Sequence, residues 1–415
     1  MGHGDVQQDA GGRSPRGRRG SRVLGWAAAV VAAVLVAGTL SAYAVYRDLF
    51  GKIRQVKVTD LGHRPPGYNH SLNILVIGSD TRKGRNSRFG AHIGGQRSDT
   101  VLILHLSPGF RRAVVMSIPR DSVVPVLACP QLPGSPGQAA QPGQIEQINA
   151  TFANGGPGCL WKTIEQTTHI RLDHFMELNF TGFEHIINDL GGVRICLPYP
   201  INDPRSKLHL SRGLHHVMGA EALAYWRVRY IGVGSDLERI QRDQYLMAAV
   251  AQEAKHTNLL ADPPRVLKLV SDIAGSLTTD SGLSQSAMIA LVQSLRHLSL
   301  GAVHFVQVPV VTYPPNPNWV QWSDQAASLF KAIAQDRKLP AVHKKRHVRR
   351  SQPASSSSSA RSGSPSPSAR SGGPSASRSP SPSPLSGLSR HFGGITAGAN
   401  VCSDSSAFQG PLGGH

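Results

Sequence analysis

Apolar positions fall into three regimes along this chain. Between Arg22 and Arg47 lie 24 residues without a charge, Val23 to Tyr46. As a helix they extend about 36 Å, enough to cross a hydrocarbon layer of roughly 30 Å. Residues 23–46 are therefore read as one transmembrane anchor, with a cleaved secretory signal near Ala42-Tyr43-Ala44 as the alternative. From Ser71 to Pro340, short apolar runs alternate with amphipathic stretches, the mark of a packed domain. After residue 340 the pattern dissolves into Ser, Pro, Arg and Gly, which cannot bury enough surface to fold.

Within 71–340, the strand-length apolar runs are Leu72–Ile77, Thr100–Leu106, Ala113–Ile118, Asp173–Asn179, Val193–Leu197 and Val303–Val308. Ser107-Pro108-Gly109-Phe110 is a turn that joins the second and third as a hairpin. Helices are expected after Gly158 and from the capping box Thr181–Glu184, with Gly191 as a stop. A second capping box at Ser235–Glu238 opens a long helix toward Glu253, and two amphipathic helices cover 264–275 and 284–297. This order predicts an α/β fold, a mixed central sheet with helices on both faces. The expected organisation is a basic N-terminus (1–22), the anchor (23–46), a spacer (47–70), the domain (71–340), a disordered linker (341–391) and a short C-terminal segment with Cys402 (392–415).

Charge refines that picture. The net charge is +19, of which residues 1–22 carry +3, the segment from 341 onward +8 and the rest +8. Arg13, Arg16, Arg18, Arg19 and Arg22 before the anchor keep the N-terminus cytoplasmic and export the domain. A basic protein suggests nucleic acid by default. Outside a membrane the available polyanions are wall phosphopolymers and lipid phosphates, so no nucleic-acid partner is expected. An exported chain permits disulfides. Cys129 and Cys159 flank one long loop and are the favoured pair.

The chemistry-bearing residues sit at the edges of apolar elements. Asp80 closes the first strand and Asp99 opens the second. If those strands are antiparallel neighbours, both carboxylates leave the same sheet edge and suit Mg²⁺, which takes hard oxygen ligands. Alternatively Asp80 only starts a turn and Asp99 pairs with Arg97. Arg120 follows a strand end, Arg227 and Arg229 follow the apolar run Ala222–Tyr225, and Arg239 lies early in the long helix. Guanidinium forks grip phosphate oxygens in pairs, although solvated surface arginines and an Arg239–Asp243 helix pair explain the same residues. No P-loop, zincin spacing or Gly-x-Ser-x-Gly elbow is present.

The ordered segments Asn73–Asp80, Arg97–Thr100, Ser117–Asp121, Ala224–Arg229 and Ser235–Arg239 resemble the LytR-CpsA-Psr family of wall phosphotransferases. Ile148-Asn149-Ala150, Asn179–Phe183 and Asp189–Val193 match it as well. The resemblance implies a three-layer α/β/α sandwich with an apolar cavity for a lipid tail. It also implies transfer of a glycopolymer from a polyprenyl-pyrophosphate carrier to a peptidoglycan hydroxyl at the outer face of the cell membrane. Asp80 and Asp99 would bind Mg²⁺, with Mn²⁺ as a substitute. Arg120, Arg227, Arg229 and Arg239 would grip the pyrophosphate, with Arg82, Arg97 and Gln244 nearby, and Asp99 or Asp121 would take a proton. Asp243 departs from the consecutive glutamines of the family and is set aside. Competing functions are a polyprenyl-pyrophosphate hydrolase and a non-catalytic wall-polymer-binding protein.

Overall fold

The computed structural model describes residues 18–81, 86, 98–130, 144–197, 200–228, 236–339 and 395–398, without the side chains of 18–28, 42, 45, 46, 48–50, 236–241 and 285. Two compact units divide at residue 53. The first holds helix α1 (Arg18–Gly51), on which Val30, Val31, Val34, Leu35, Val36 and Leu40 are each more than half exposed. Among the described residues no helix is long and apolar enough to cross a membrane.

The second unit is built on one mixed sheet. Its strands are β1 (Arg54–Val56), β2 (Leu72–Ser79), β3 (Ser98–Leu106), β4 (Ala113–Ile118), β7 (His174–Asn179), β12 (Leu277–Asp280), β13 (Val303–Gln307) and β16 (Ile395–Thr396). They lie in the order β1-β12-β7-β2-β3-β4-β13-β16. The pairs β1–β12, β2–β7 and β4–β13 are parallel, and the others antiparallel. Short hairpins join β5 (Val123–Pro125) to β6 (Ile145–Gln147), β8 (Val193–Leu197) to β11 (Gly213–Val217), β9 (Ile201–Asp203) to β10 (Leu208–Leu210) and β14 (Val310–Thr312) to β15 (Val320–Trp322). The helices are α2 (Ile148–Thr168), α3 (Phe180–Asp189), α4 (Gly219–Arg227), α5 (Asp236–His256), α6 (Pro263–Ala274), α7 (Gln285–Leu295) and α8 (Asp324–Ala334).

Alternation along the strands gives the sheet two apolar faces. Leu75, Ile77, Ile103, Met116 and Phe175 pack on Phe152, Leu160 and Ile164 of α2 and on Leu329, Phe330 and Ile333 of α8. The opposite face includes Ile74, Leu106 and Ala113, which meet Leu291 of α7. Beside it, α3, α4 and α5 share a second cluster through Phe183, Ile187, Ala222, Leu223 and Leu246. Each large side chain buried in this way is worth about 1.5–3 kcal/mol.

The expected hairpin forms through β3 and β4, with Gly109 at a φ of 67° in its turn. Two starts differ from the sequence reading. The helix expected after Gly158 begins at Ile148 and breaks at Gly156, whose φ of 73° and ψ of −168° are open to glycine, before Pro157 restarts it. The cap of α3 is Asn179, whose side chain accepts the Gly182 N–H at 3.1 Å, while the Thr181 hydroxyl donates to Asn86 instead. Ser235 of the other expected capping box lies outside the described residues. The spacer read at 47–70 contains β1, an edge strand, and Arg64, which binds buried Glu165 at 2.7 Å. Cys129 and Cys159 are disulfide-bonded, as their flanking of one loop suggested.

Candidate active site

The charged site begins at a defect in strand pairing. Register between β2 and β3 runs Ile77 to Val101 and Gly78 to Thr100, then jumps to Ser79 opposite Ser98. Asp99 is the extra residue of this bulge, and bulges re-aim side chains and end pairing. Asp80 is one residue past Ser79, so both carboxylates leave the same sheet edge, the arrangement that antiparallel neighbours require. On the next strand, Ile118 pairs with Val101, and Pro119-Arg120-Asp121 continue past the end of β4.

Arg120 joins the acids at this edge. Its Nη1 donates to Asp99 Oδ1 at 2.8 Å and its Nε to Asp121 Oδ2 at 3.3 Å. Gln147 Nε2 donates to the other Asp121 oxygen at 3.1 Å. Burial works against the Arg120 charge, but Asp121 and Asp99 more than offset it and hold its pKa above the usual arginine value. Arg82 and Arg97, and with them the Arg97–Asp99 alternative, lie outside the described residues.

A second set of elements approaches from α4. This helix ends at Arg227, and Val228 has left helical conformation (φ −59°, ψ 128°), so the chain extends there as expected. Arg227 holds its guanidinium carbon 5.3 Å from the Phe180 ring centroid. Buried Arg242 of α5 donates through Nη2 to Val228 O and sits 5.8 Å from the Tyr225 ring, tying the end of α4 to α5. Arg229 lies outside the described residues, and Arg239 sits early in α5 with its side chain undescribed.

Between the sheet and α3, α4 and α5 lies a cavity of about 150 Å³. Val76, Leu102, Val115, Phe183, Trp226 and Met247 give it apolar walls, and Asp99, Arg120 and Asp121 stand on its lining beside them. Phe183 and Trp226 meet at 4.8 Å between ring centroids. Gly78 faces Trp226, and a Cβ there would come within 3.2 Å of the indole, so the residue keeps the wall thin. Gln244 is 3 % exposed with neither amide atom partnered, and Gln307 is 8 % exposed with an unpartnered Nε2. Both line the cavity. A buried amide left without partners costs about 1–3 kcal/mol, which a ligand bearing phosphoryl oxygens would recover.

Gln244 belongs to the sequence-derived set, whereas Gln307 does not. The signal for Gln307 was a polar residue inside the apolar run Val303–Val308. Asp243, set aside from the sequence, also lines the cavity. Arg227 and Asp80 are not among its lining residues, although Trp226 beside Arg227 is. Among the described residues no group of three or more His, Cys, Asp or Glu is placed to hold a metal. The candidate donors remain the two sheet-edge carboxylates.

The model of the LytR_cpsA_psr family matches residues 41–337. "Probable cell wall biosynthesis protein LcpB" of Corynebacterium glutamicum is 29% identical over 312 residues, 73% of this chain and 70% of that protein. "Polyisoprenyl-teichoic acid--peptidoglycan teichoic acid transferase TagT" of Bacillus subtilis is 26% identical over 270 residues, 63% of this chain and 73% of that one. Among solved structures, the LytR-Csp2A-Psr enzyme from Actinomyces oris shares the fold, with a TM-score of 0.51 at 20% identity, over 68% of this chain and 96% of its own. The family match extends over most of the α/β unit and over the sheet edge that carries Asp80, Asp99 and Arg120, and on that ground the chain belongs to the LytR_cpsA_psr family.

Proposed function

We propose that this chain is a transferase that moves a phosphorylated glycopolymer from a polyprenyl pyrophosphate carrier onto a peptidoglycan hydroxyl. The observation that carries the reading is the cavity itself, apolar along its walls and lined at the β4 end by Asp99, Arg120 and Asp121. An isoprenoid tail suits the first part and a pyrophosphate the second. The acceptor oxygen attacks the phosphorus that bears the glycopolymer, the bond to the bridging oxygen breaks, and polyprenyl phosphate leaves. A phosphodiester to the wall remains. Asp121, held by Arg120 and Gln147, accepts the hydroxyl proton. Arg120, with Arg227, Arg229 and Arg239, binds the charged oxygens, because phosphoryl transfer rests on positioning and charge neutralisation.

Asp80 and Asp99 are the residues that would hold Mg²⁺ or Mn²⁺. Their oxygens are hard donors, and an ion bound there would neutralise pyrophosphate charge. We place the chain in the cell membrane with the α/β unit outside. The uncharged run 23–46, the arginines before it and the exposed valines and leucines of α1 support that reading. The names of LcpB and TagT, a cell-wall biosynthesis protein and a teichoic acid transferase, favour transfer over binding alone.

The test is to incubate the purified protein with lipid-linked polymer, with and without peptidoglycan. Polymer attached to peptidoglycan is the expected result, and Asp99→Ala and Arg227→Ala should abolish it. Release without attachment would make the protein a hydrolase. Full activity in both variants would leave only a binding role.

A further inference from the structure

Polarity inside the cavity changes row by row along the sheet. Asp99, Arg120 and Asp121 stand at its charged rim. Farther in, Val76, Leu102, Ser117 and Gln307 are consecutive partners across β2, β3, β4 and β13. Two residues deeper on the same strands, Val115 pairs with Phe305. Side chains two apart share a face, so both rows look into the cavity, and residues of each line it. The order is a charged rim, a row ending in Ser117 and Gln307, and an apolar floor.

Helix α5 sets a second amide against that row. Gln252 donates to Ala397 O, and the Ala397 N–H donates to Val303 O, so this turn of α5 is level with the start of β13. One turn earlier, Ala248 shares an apolar cluster with Phe305. Another turn, about 6 Å along the helix, reaches Gln244, and two residues, about 7 Å along the strand, reach Gln307. The two glutamines therefore stand on facing walls at one level. Both are buried, and among the described residues the Gln307 Nε2 and both amide atoms of Gln244 meet no hydrogen-bond partner.

We propose that Gln307, with Gln244 facing it, binds the carrier-side phosphate of the lipid pyrophosphate, the group that departs as polyprenyl phosphate. From glycopolymer to lipid, the substrate runs through the transferred phosphate, the carrier phosphate and the isoprenoid. That order matches charged rim, amide level and apolar floor. An isoprenoid at the amide level would leave both amides unpaired, whereas phosphoryl oxygens accept their N–H groups. When the acceptor oxygen attacks the transferred phosphorus, the bond from that phosphorus to the bridging oxygen breaks. The electron pair stays on the bridging oxygen, and the acceptor proton goes to Asp121. Charge thus grows on the phosphate beside Gln307, and preset amide donors act most strongly on developing charge. The assignment rests on the transferase reading.

The experiment uses the full chain in detergent, as wild type, Gln307→Met and Gln307→Glu. Methionine keeps the length of the side chain and removes its amide. The probes are a short-chain prenyl phosphate, the corresponding prenyl alcohol and inorganic pyrophosphate. Gln307→Met should bind the prenyl phosphate about tenfold more weakly, a loss that reads directly in Kd, and the alcohol unchanged. Its ligand-free Tm should be no lower than wild type, because an unpaired buried amide adds no stability. Gln307→Glu, with a carboxylate in place of the donor, should lose more. Weaker pyrophosphate binding as well would support a contact open to any phosphoryl group, and unchanged pyrophosphate binding one reserved for a phosphate that carries a lipid. An unchanged Kd for the prenyl phosphate would overturn the proposal. So would a lowered Tm with equal losses on all three probes, the mark of a packing residue. Wild type that binds neither phosphate probe would overturn it too. Wild type that binds the prenyl phosphate but attaches no polymer to peptidoglycan would sink the transferase reading and leave the Gln307 contact standing.

Discussion

Replacing Arg120 with alanine separates the two jobs assigned to it. The guanidinium makes one bond of 2.8 Å to Asp99 and a weaker one of 3.3 Å to Asp121. All three side chains are about one-fifth exposed, so water screens them only in part. A hydrogen bond to a charged partner contributes about 1.5–3 kcal/mol net. Counting the shorter bond fully and the longer one by half, removal costs about 2–4 kcal/mol. Two carboxylates are then left facing one gap. In a domain of this size that lowers Tm by about 5–10 °C. On the proposed role of Arg120 in neutralising phosphate charge, its loss should also reduce transfer by about 10²–10³-fold. The informative quantity is cation affinity. Asp99, proposed to hold a divalent ion, is already bound by Arg120, so on that proposal Arg120→Ala should bind Mn²⁺ more tightly in calorimetry, and saturating Mn²⁺ should restore part of the lost Tm. Transfer within threefold of wild type, or weakened Mn²⁺ binding, would refute the reasoning.

Other expectations follow from buried groups. Arg64 neutralises Glu165, whose side chain is 1% exposed, so Arg64→Met strands a buried charge and should cost about 3–5 kcal/mol in denaturant melts. Adding Glu165→Gln to that variant should recover much of the loss. The Cys129–Cys159 bond closes a separation of 30 residues, and the double serine variant should lose about 3–4 kcal/mol by loop-closure entropy, seen as a lower urea midpoint. Glu177 of β7 is buried, and burial pushes its pKa above the usual carboxylate value. A raised carboxylate favours the fold fully below its unfolded pKa of about 4.3, and that contribution is lost as pH rises through the folded value. Glu177→Gln should therefore raise Tm at pH 7 and change it little near pH 4; a gain that does not grow with pH would refute this.

The residues at the sheet edge were legible because charge at the ends of apolar strands is costly unless paired, and such positions stand out in sequence. Asp80 and Asp99 flank two of the most apolar runs in the domain, and their common edge followed from pairing those runs antiparallel. Arg120 stood out for the same reason. The cavity was not legible. Its walls come from β2, β3, β4, β13 and α3 to α5, and residues such as Phe183 and Met247 look like ordinary core until packing leaves a gap between them. The two buried amides were hidden as well, since a glutamine in sequence does not show whether its partners are present.

Local interactions set what the sequence determined alone: strand and helix identity by periodicity, the β3–β4 hairpin by its turn, and the charged termini by the cost of burying them unpaired. Contacts between distant segments decided the rest. The bulge at Asp99 needed the register of two strands, and the cap on α3 passed to Asn179 because Thr181 found Asn86. Ile395 and Thr396 pair as a strand because β13 offers an open edge and α5 a surface for Ala397. Such outcomes depend on which surfaces meet in three dimensions, and periodicity along one chain carries no record of that.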